Sequence, residues 1–190
     1  MNILLTGGSS SLIDSMILKL RKEGHRVFIL TGDKYKHNKY EKVFEKYEFP
    51  YDSENLNEIL ESVNPDVTIL MGAFDTNYYW NGEERENVRF VSHLVNILVA
   101  HSRFKKTKLI FLSSDEVYSG NYAHDIEEDE KFSGSGLKAE CLSQAEEMCR
   151  NFSENRGMDL IVLRLDHFYG IPKGKKDLNH IVDRMCLDCL

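Results

Sequence analysis

The chain lacks what would place it in a membrane or on a nucleic acid. No apolar run in its 190 residues approaches the roughly 20 that a bilayer-spanning helix needs. Met1 leads almost directly into a strand-like segment, leaving no room for a secretory leader, so a cytoplasmic protein is expected. Positive charge is in deficit: 24 Lys and Arg stand against 31 Asp and Glu, for a net charge of −7. An acidic surface repels phosphate backbones and anionic lipid, so neither nucleic acid nor membrane is expected as a partner. Cysteine is missing from the first 140 residues. Cys141, Cys149, Cys186 and Cys189 read as reduced thiols. The Cys186/Cys189 spacing has no second ligand pair, and the seven histidines are scattered, so no metal site is expected. There is no repeat, no low-complexity linker and no Gly-x-Ser-x-Gly elbow.

What remains is an alternation. Residues 2–6 (NILLT), 27–30, 67–71, 109–112 and 160–163 are short apolar runs that read as buried strands. Between them lie amphipathic stretches. Leu12, Ile13, Met16, Ile17 and Leu20 share a helical face that ends at Gly24. Tyr40, Val43, Phe44 and Tyr47 predict a short helix, and Leu56, Ile59, Leu60 and Val63 another, opened by Ser53 and stopped before Pro65. Val88, Val91, Val95 and Leu98 mark a long helix, and residues 142–155 a further one ending near Gly157. Apolar strands alternating with helices predict an α/β fold with a doubly wound parallel sheet, covered on both faces. Residues 1–172 are expected to form this Rossmann-type domain. Residues 173–190 read as the start of a truncated C-terminal region. Its apolar stripe, Leu178, Ile181, Val182 and Met185, is expected to bury against another chain or a missing domain.

The first strand ends in Thr6-Gly7-Gly8-Ser9-Ser10-Ser11. A strand, a glycine turn and a helix N-terminus together make an anion site, with backbone N–H groups and the helix dipole facing a phosphate. Dinucleotide-binding turns carry three glycines. Here the first is Gly7, and the later two positions fall on serines and near Ile13 or Asp14. Asp14 would set a negative charge close to a pyrophosphate. A serine-capped helix start and a retained dinucleotide site are both consistent with this turn. Thr6, Gly7, Gly8, Ser10 and Ser11 are the candidate phosphate contacts. Asp33, 26 residues after Gly7, is the candidate ribose ligand, and Lys34 beside it would suit a 2′-phosphate, leaving NAD and NADP both open. Asp52 is a candidate adenine contact.

Several landmarks fall in order: the opening residues 2–8, Asp66-Val67-Thr68-Ile69-Leu70-Met71-Gly72-Ala73, then Asn87, then LIFLSSDEVY over 109–118, then RLDHFYGIP over 164–172. In this order the chain resembles the extended short-chain dehydrogenase/reductase (NAD-dependent epimerase/dehydratase) family over essentially its whole length. Its Ser-Ser-Asp-Glu-Val-Tyr is most similar to nucleotide-sugar dehydratases. The resemblance implies an NAD(P)-binding Rossmann fold with Gly72 and Ala73 beside the cofactor. It also implies Ser114 against a sugar oxygen, with Asp115 and Glu116 as acid and base for removing water. A nucleotide or nucleotide sugar is the partner it suggests, and a homo-oligomer the assembly.

The family's Tyr-x-x-x-Lys is absent. Counted back from Tyr169-Gly170, the tyrosine position falls on Lys138 and the lysine position on Leu142. No tyrosine occurs between Tyr122 and Tyr169, so a shift of register does not restore the dyad. Three readings follow: a degenerate, non-catalytic member that binds a nucleotide or a partner, with NAD or NADP affinity weak or lost; the cofactor domain of an active nucleotide-sugar epimerase or dehydratase; or an interaction scaffold with no nucleotide.

Overall fold

The computed structural model describes residues 1–7, 11–31, 45–48, 53–75, 78, 80, 84–104, 107–118 and 125–166. The elements run β1 (Asn2–Thr6), α1 (Ser11–Lys22), β2 (Arg26–Thr31), β3 (Glu45–Glu48), α2 (Ser53–Val63), β4 (Val67–Leu70), α3 (Glu84–His101), β5 (Lys108–Ser114), α4 (Leu137–Arg156) and β6 (Leu160–Leu165). Single 3-10 turns follow β4 at Gly72–Phe74 and β5 at Asp115–Tyr118.

All strand pairs are parallel, in the order β3-β2-β1-β4-β5-β6. This is the doubly wound sheet that the sequence predicts. The chain winds outward from β1 to β3, then returns to lay β4 on the other side of β1. The switch point therefore lies between β1 and β4, and the crevice beyond their carboxyl ends is where ligands bind in open α/β sheets.

Two apolar clusters sandwich the sheet. Leu4, Phe28, Leu30, Leu70, Leu109 and Phe111 meet α2, α3 and α4 on one face. Ile3, Leu5, Val27, Ile29, Ile69 and Leu112 meet Ile13 and Ile17 of α1 on the other.

One sequence expectation is overturned. Tyr47, grouped with Tyr40, Val43 and Phe44 in a short helix, lies in β3, where Phe28 to Thr31 pair with Glu45 to Glu48. A four-residue polar edge strand carries no legible apolar period; backbone pairing to β2 overrides helical spacing. Residues 40–44 lie outside the described residues, as do 167–190 with the Leu178 stripe. Helix α4 begins at Leu137, five residues before the apolar pattern suggests, and ends as expected at Gly157, whose φ of +67° forms a left-handed cap.

Candidate functional site

The switch-point crevice is built on two glycines. Gly7 has φ +128° and donates its N–H to the Leu30 carbonyl at 3.0 Å, fastening the end of β1 to β2. A side chain there would meet Ile13 Cδ1 at 2.7 Å and Met71 Cγ at 3.0 Å. Ile13 itself is fully buried. Where a third glycine would let α1 press against the turn, an isoleucine fills the space. Thr6 is buried, and its hydroxyl accepts the Met71 N–H at 3.1 Å, so it stitches β1 to β4. Gly72 has φ +49°, and a Cβ there would run into the Leu112 carbonyl oxygen and the Phe111 ring. Ala73 beside it is buried. Thus Thr6, Gly7, Gly72 and Ala73 are brought together around Met71. Ser11 begins α1. Gly8, Ser10, Asp33 and Asp52 lie outside the described residues.

Asp14 sits in the first turn of α1, only 5% exposed. A carboxylate there complements the positive end of the helix dipole that a bound phosphate would use.

The second half of the site lies at the end of β5. Ser114 is buried, its hydroxyl donating to Asp115 Oδ1 at 2.9 Å and accepting the Glu116 N–H at 3.2 Å. It therefore opens the 3-10 turn as a cap residue opens a helix. Glu116 is held by Lys138 Nζ at 2.6 Å, and that ammonium lies 5.7 Å from the Trp80 ring centroid. The Lys138 side chain joins the loop after β4, the turn after β5 and the first turn of α4. Ser133 and Gly134 donate both their N–H groups to the Val117 carbonyl, so the segment before α4 closes onto the same turn. A Cβ at Gly134 would collide with the Glu116 carbonyl.

Helix α4 carries no tyrosine. Leu142 is completely buried among the apolar residues of α3, α4 and β5. It offers a cofactor neither charge nor hydrogen bond.

Two arrangements escaped the sequence reading. Glu146, 1% exposed, receives Arg164 through Nε at 3.1 and 3.0 Å and Nη2 at 2.7 Å. Arg164 also donates Nη1 to the Glu128 carbonyl at 2.9 Å and stacks on Tyr118 and Phe132. Burial pushes the Glu146 carboxyl above its usual range, opposed by the Ser113 hydroxyl and Arg150. Burial also lowers Arg164. The legible signal was a charge on an inward position of each element: Glu146 beside Leu142, Ala145 and Cys149, and Arg164 in step with Leu160 and Val162. The other arrangement is Tyr78, whose hydroxyl sits 2.7 Å from His93 Nδ1 beneath Trp80 and Phe90. Burial, helped by Arg89 and opposed by Glu86, lowers His93 to about 4. Asn87 is buried at the start of α3, near this aromatic group in sequence.

A cleft of about 650 Å³ opens at the β5 and β6 ends. Asp115, Glu127, Glu128, Glu146 and Asp166 outnumber Arg150 and Arg164 in its walls, so it has no excess of positive charge to attract phosphate. Among the described residues, no group of His, Cys, Asp and Glu could hold a metal ion, and no helix is long and apolar enough to cross a membrane.

Comparison with known proteins agrees with this architecture. No curated protein matches the chain. Among solved structures, UDP-glucose 4-epimerase from Thermotoga maritima with UDP-glucose superposes with a TM-score of 0.78 at 20% identity, covering 97% of this chain and 61% of that one. dTDP-glucose 4,6-dehydratase from Bacillus anthracis in complex with NAD gives 0.77 at 16% identity, covering 100% and 61%. UDP-glucose 4-epimerase from Brucella ovis in complex with NAD gives 0.74 at 20% identity, covering 86% and 51%. The chain thus spans about half to three-fifths of the length of these structures. The sequence model of one family matches residues 3–190. The chain belongs to the NAD dependent epimerase/dehydratase family.

Proposed function

We propose that this chain is a non-catalytic member of its family that acts as a nucleotide-binding module, with a weakened grip on dinucleotide. The observation that carries the reading is α4. At the two positions matching the family's proton-transfer dyad stand Lys138, neutralised by Glu116 at 2.6 Å, and Leu142, sealed in the core. A tyrosine must drop from a pKa near 10 by ~3 units to act at neutral pH, which is ~4 kcal/mol of differential stabilisation. Neither residue supplies that. General acid–base catalysis of this kind typically contributes ~10²–10⁴-fold.

The crevice fits a dinucleotide in part. Gly7 and Gly72 let the chain turn tightly at the carboxyl ends of β1 and β4, where a Cβ would strike Ile13, Met71 or the Leu112 carbonyl, and with Ala73 they would line the pyrophosphate and the ribose beside it. A bound dinucleotide would supply hydride transfer. The α4 face does not fit its redox end. Each charge-assisted hydrogen bond lost is worth ~1.5–3 kcal/mol, so losing two weakens affinity by on the order of a hundredfold or more. The related structures named above hold NAD or UDP-glucose, so a nucleotide or nucleotide sugar is the ligand class we assign.

A second reading, an active epimerase or dehydratase domain, is favoured by one feature. Ser114, Asp115, Glu116 and Lys138 gather at a single strand end. Calorimetry with NAD, NADH, NADP and NADPH, together with product analysis on UDP-glucose and dTDP-glucose, separates the two. Dissociation constants above the micromolar range and no sugar product are expected. Sugar product at any dinucleotide concentration would establish the second reading and end the first.

A further inference from the structure

The sheet has two halves that meet at the switch point: β1, β2 and β3 on one side, β4, β5 and β6 on the other. In a doubly wound fold each half offers a mononucleotide site at its carboxyl ends, and a dinucleotide lies across both. The two ends differ here. The first half opens on Gly7, which turns the chain at φ +128° and carries no side chain. At the ends of β4 and β5 side chains of the protein itself converge. Trp80, from the loop after β4, packs edge-on to Phe90 with ring centroids 4.8 Å apart, and Phe90 stacks on Phe111 of β5 at 6.4 Å. Tyr78, 6.0 Å from the Trp80 ring, is anchored by its hydroxyl 2.7 Å from His93 Nδ1. The indole is thus fastened to the core. Lys138, in the first turn of α4, sets its ammonium 5.7 Å from that ring and 2.6 Å from Glu116 Oε1. The side chains of this pair are 23% and 36% exposed. Ser114, two residues before Glu116, is 5% exposed and donates its hydroxyl to Asp115.

We propose that Trp80, Lys138 and Glu116 plug the second half, so that the ligand of this chain is a nucleoside diphosphate and not a dinucleotide. The proposal rests on the nucleotide-binding reading above and narrows its ligand. Admitting a second nucleoside would break a charge-assisted hydrogen bond and a cation–π contact, and would turn Trp80 out of its aromatic stack. A nucleoside diphosphate held at the first half demands none of this. The two charges of the plug cancel each other, and the Ser114 donor is already spent. Selection by size therefore comes from an element set against the larger ligand, as specificity often does.

Calorimetry on the full chain with ADP and NAD tests the plug. The wild type is expected to bind ADP at least as tightly as NAD. Lys138→Ala, which opens the plug, is expected to tighten NAD by about tenfold and to leave ADP unchanged. Trp80→Phe keeps a ring against Phe90 and should shift the ratio of the two affinities in the same direction, which covers the case in which Lys138→Ala fails to fold. NAD binding more tightly than ADP to the wild type would overturn the proposal while leaving nucleotide binding in place. An NAD affinity that neither variant changes would overturn it as well. Binding of neither ligand would remove the nucleotide-binding reading itself, and the plug with it.

Discussion

Replacing Arg164 with methionine keeps the aliphatic stem and removes the guanidinium, leaving the Glu146 carboxyl without its partner in a site 1% exposed to solvent. Breaking a buried pair from one side costs ~3–5 kcal/mol, because the abandoned carboxyl has lost both water and partner. Losing the hydrogen bond to the Glu128 carbonyl adds to this, and so does losing the stacking on Tyr118 and Phe132 at 4.8 and 5.1 Å. Cation–π contacts are worth ~0.5–2 kcal/mol each. These contributions share one side chain and will not sum, so ~4–5 kcal/mol is the expected loss. For a domain of this size that lowers the melting temperature by ~10 °C or more. The pair is costly to break but not inherently stabilising. Glu146→Leu combined with Arg164→Met should therefore recover most of the loss, since an apolar pair of similar volume is often neutral or better. Urea unfolding of the wild type, both single variants and the double variant gives the coupling energy directly. If Arg164→Met falls within ~1 kcal/mol of wild type, the pair is not buried in solution. A double variant no more stable than Arg164→Met would refute the desolvation argument.

Other perturbations test other parts of the account. His93 and His101 are lowered to about 4 by burial, from an ordinary 6.5. Both are neutral in the fold and take up protons on unfolding, so their contribution is complete above pH 6.5 and is lost as pH falls towards 4. For His101, buried on all sides, this amounts to at most ~3 kcal/mol. The urea midpoint should fall across that window, and His101→Gln should flatten the profile. Gly72→Ala should cost ~2 kcal/mol or more in urea unfolding, since the new methyl meets the Leu112 carbonyl. Gly157→Ala, with open space around its Cβ, should cost only the ~1 kcal/mol of a left-handed residue. Burial pushes the Cys149 thiol up to about 12. Mass spectrometry after brief alkylation at pH 8 should leave Cys149 unmodified until urea is added.

Legibility followed burial. β1, β2, β4, β5 and β6 carry apolar runs that a sheet with helices on its faces demands, and each lies where the sequence placed it. β3 carries Glu-Lys-Tyr-Glu, and its place comes from hydrogen bonds to β2 that no side chain announces. Gly136 opens α4 with φ +95° and no side-chain cap, so the start of that helix had no signal. Motif order brought Ser114, Asp115 and Glu116 into view. It could not show that Ser114 spends its hydroxyl on its own turn. Nor could it show that Lys138, 22 residues on, reaches back to Glu116, because tertiary closure at Gly134 makes that contact.

The proposed function turns on α4, where Lys138 and Leu142 stand at the positions of the family's proton-transfer dyad. Single-turnover mixing of the full chain with excess NAD and UDP-glucose, followed at the reduced-nicotinamide absorbance band, tests it most directly. No absorbance above the enzyme-free blank is expected on any timescale. A transient rise that Lys138→Ala abolishes would contradict that reading and make Lys138 the base.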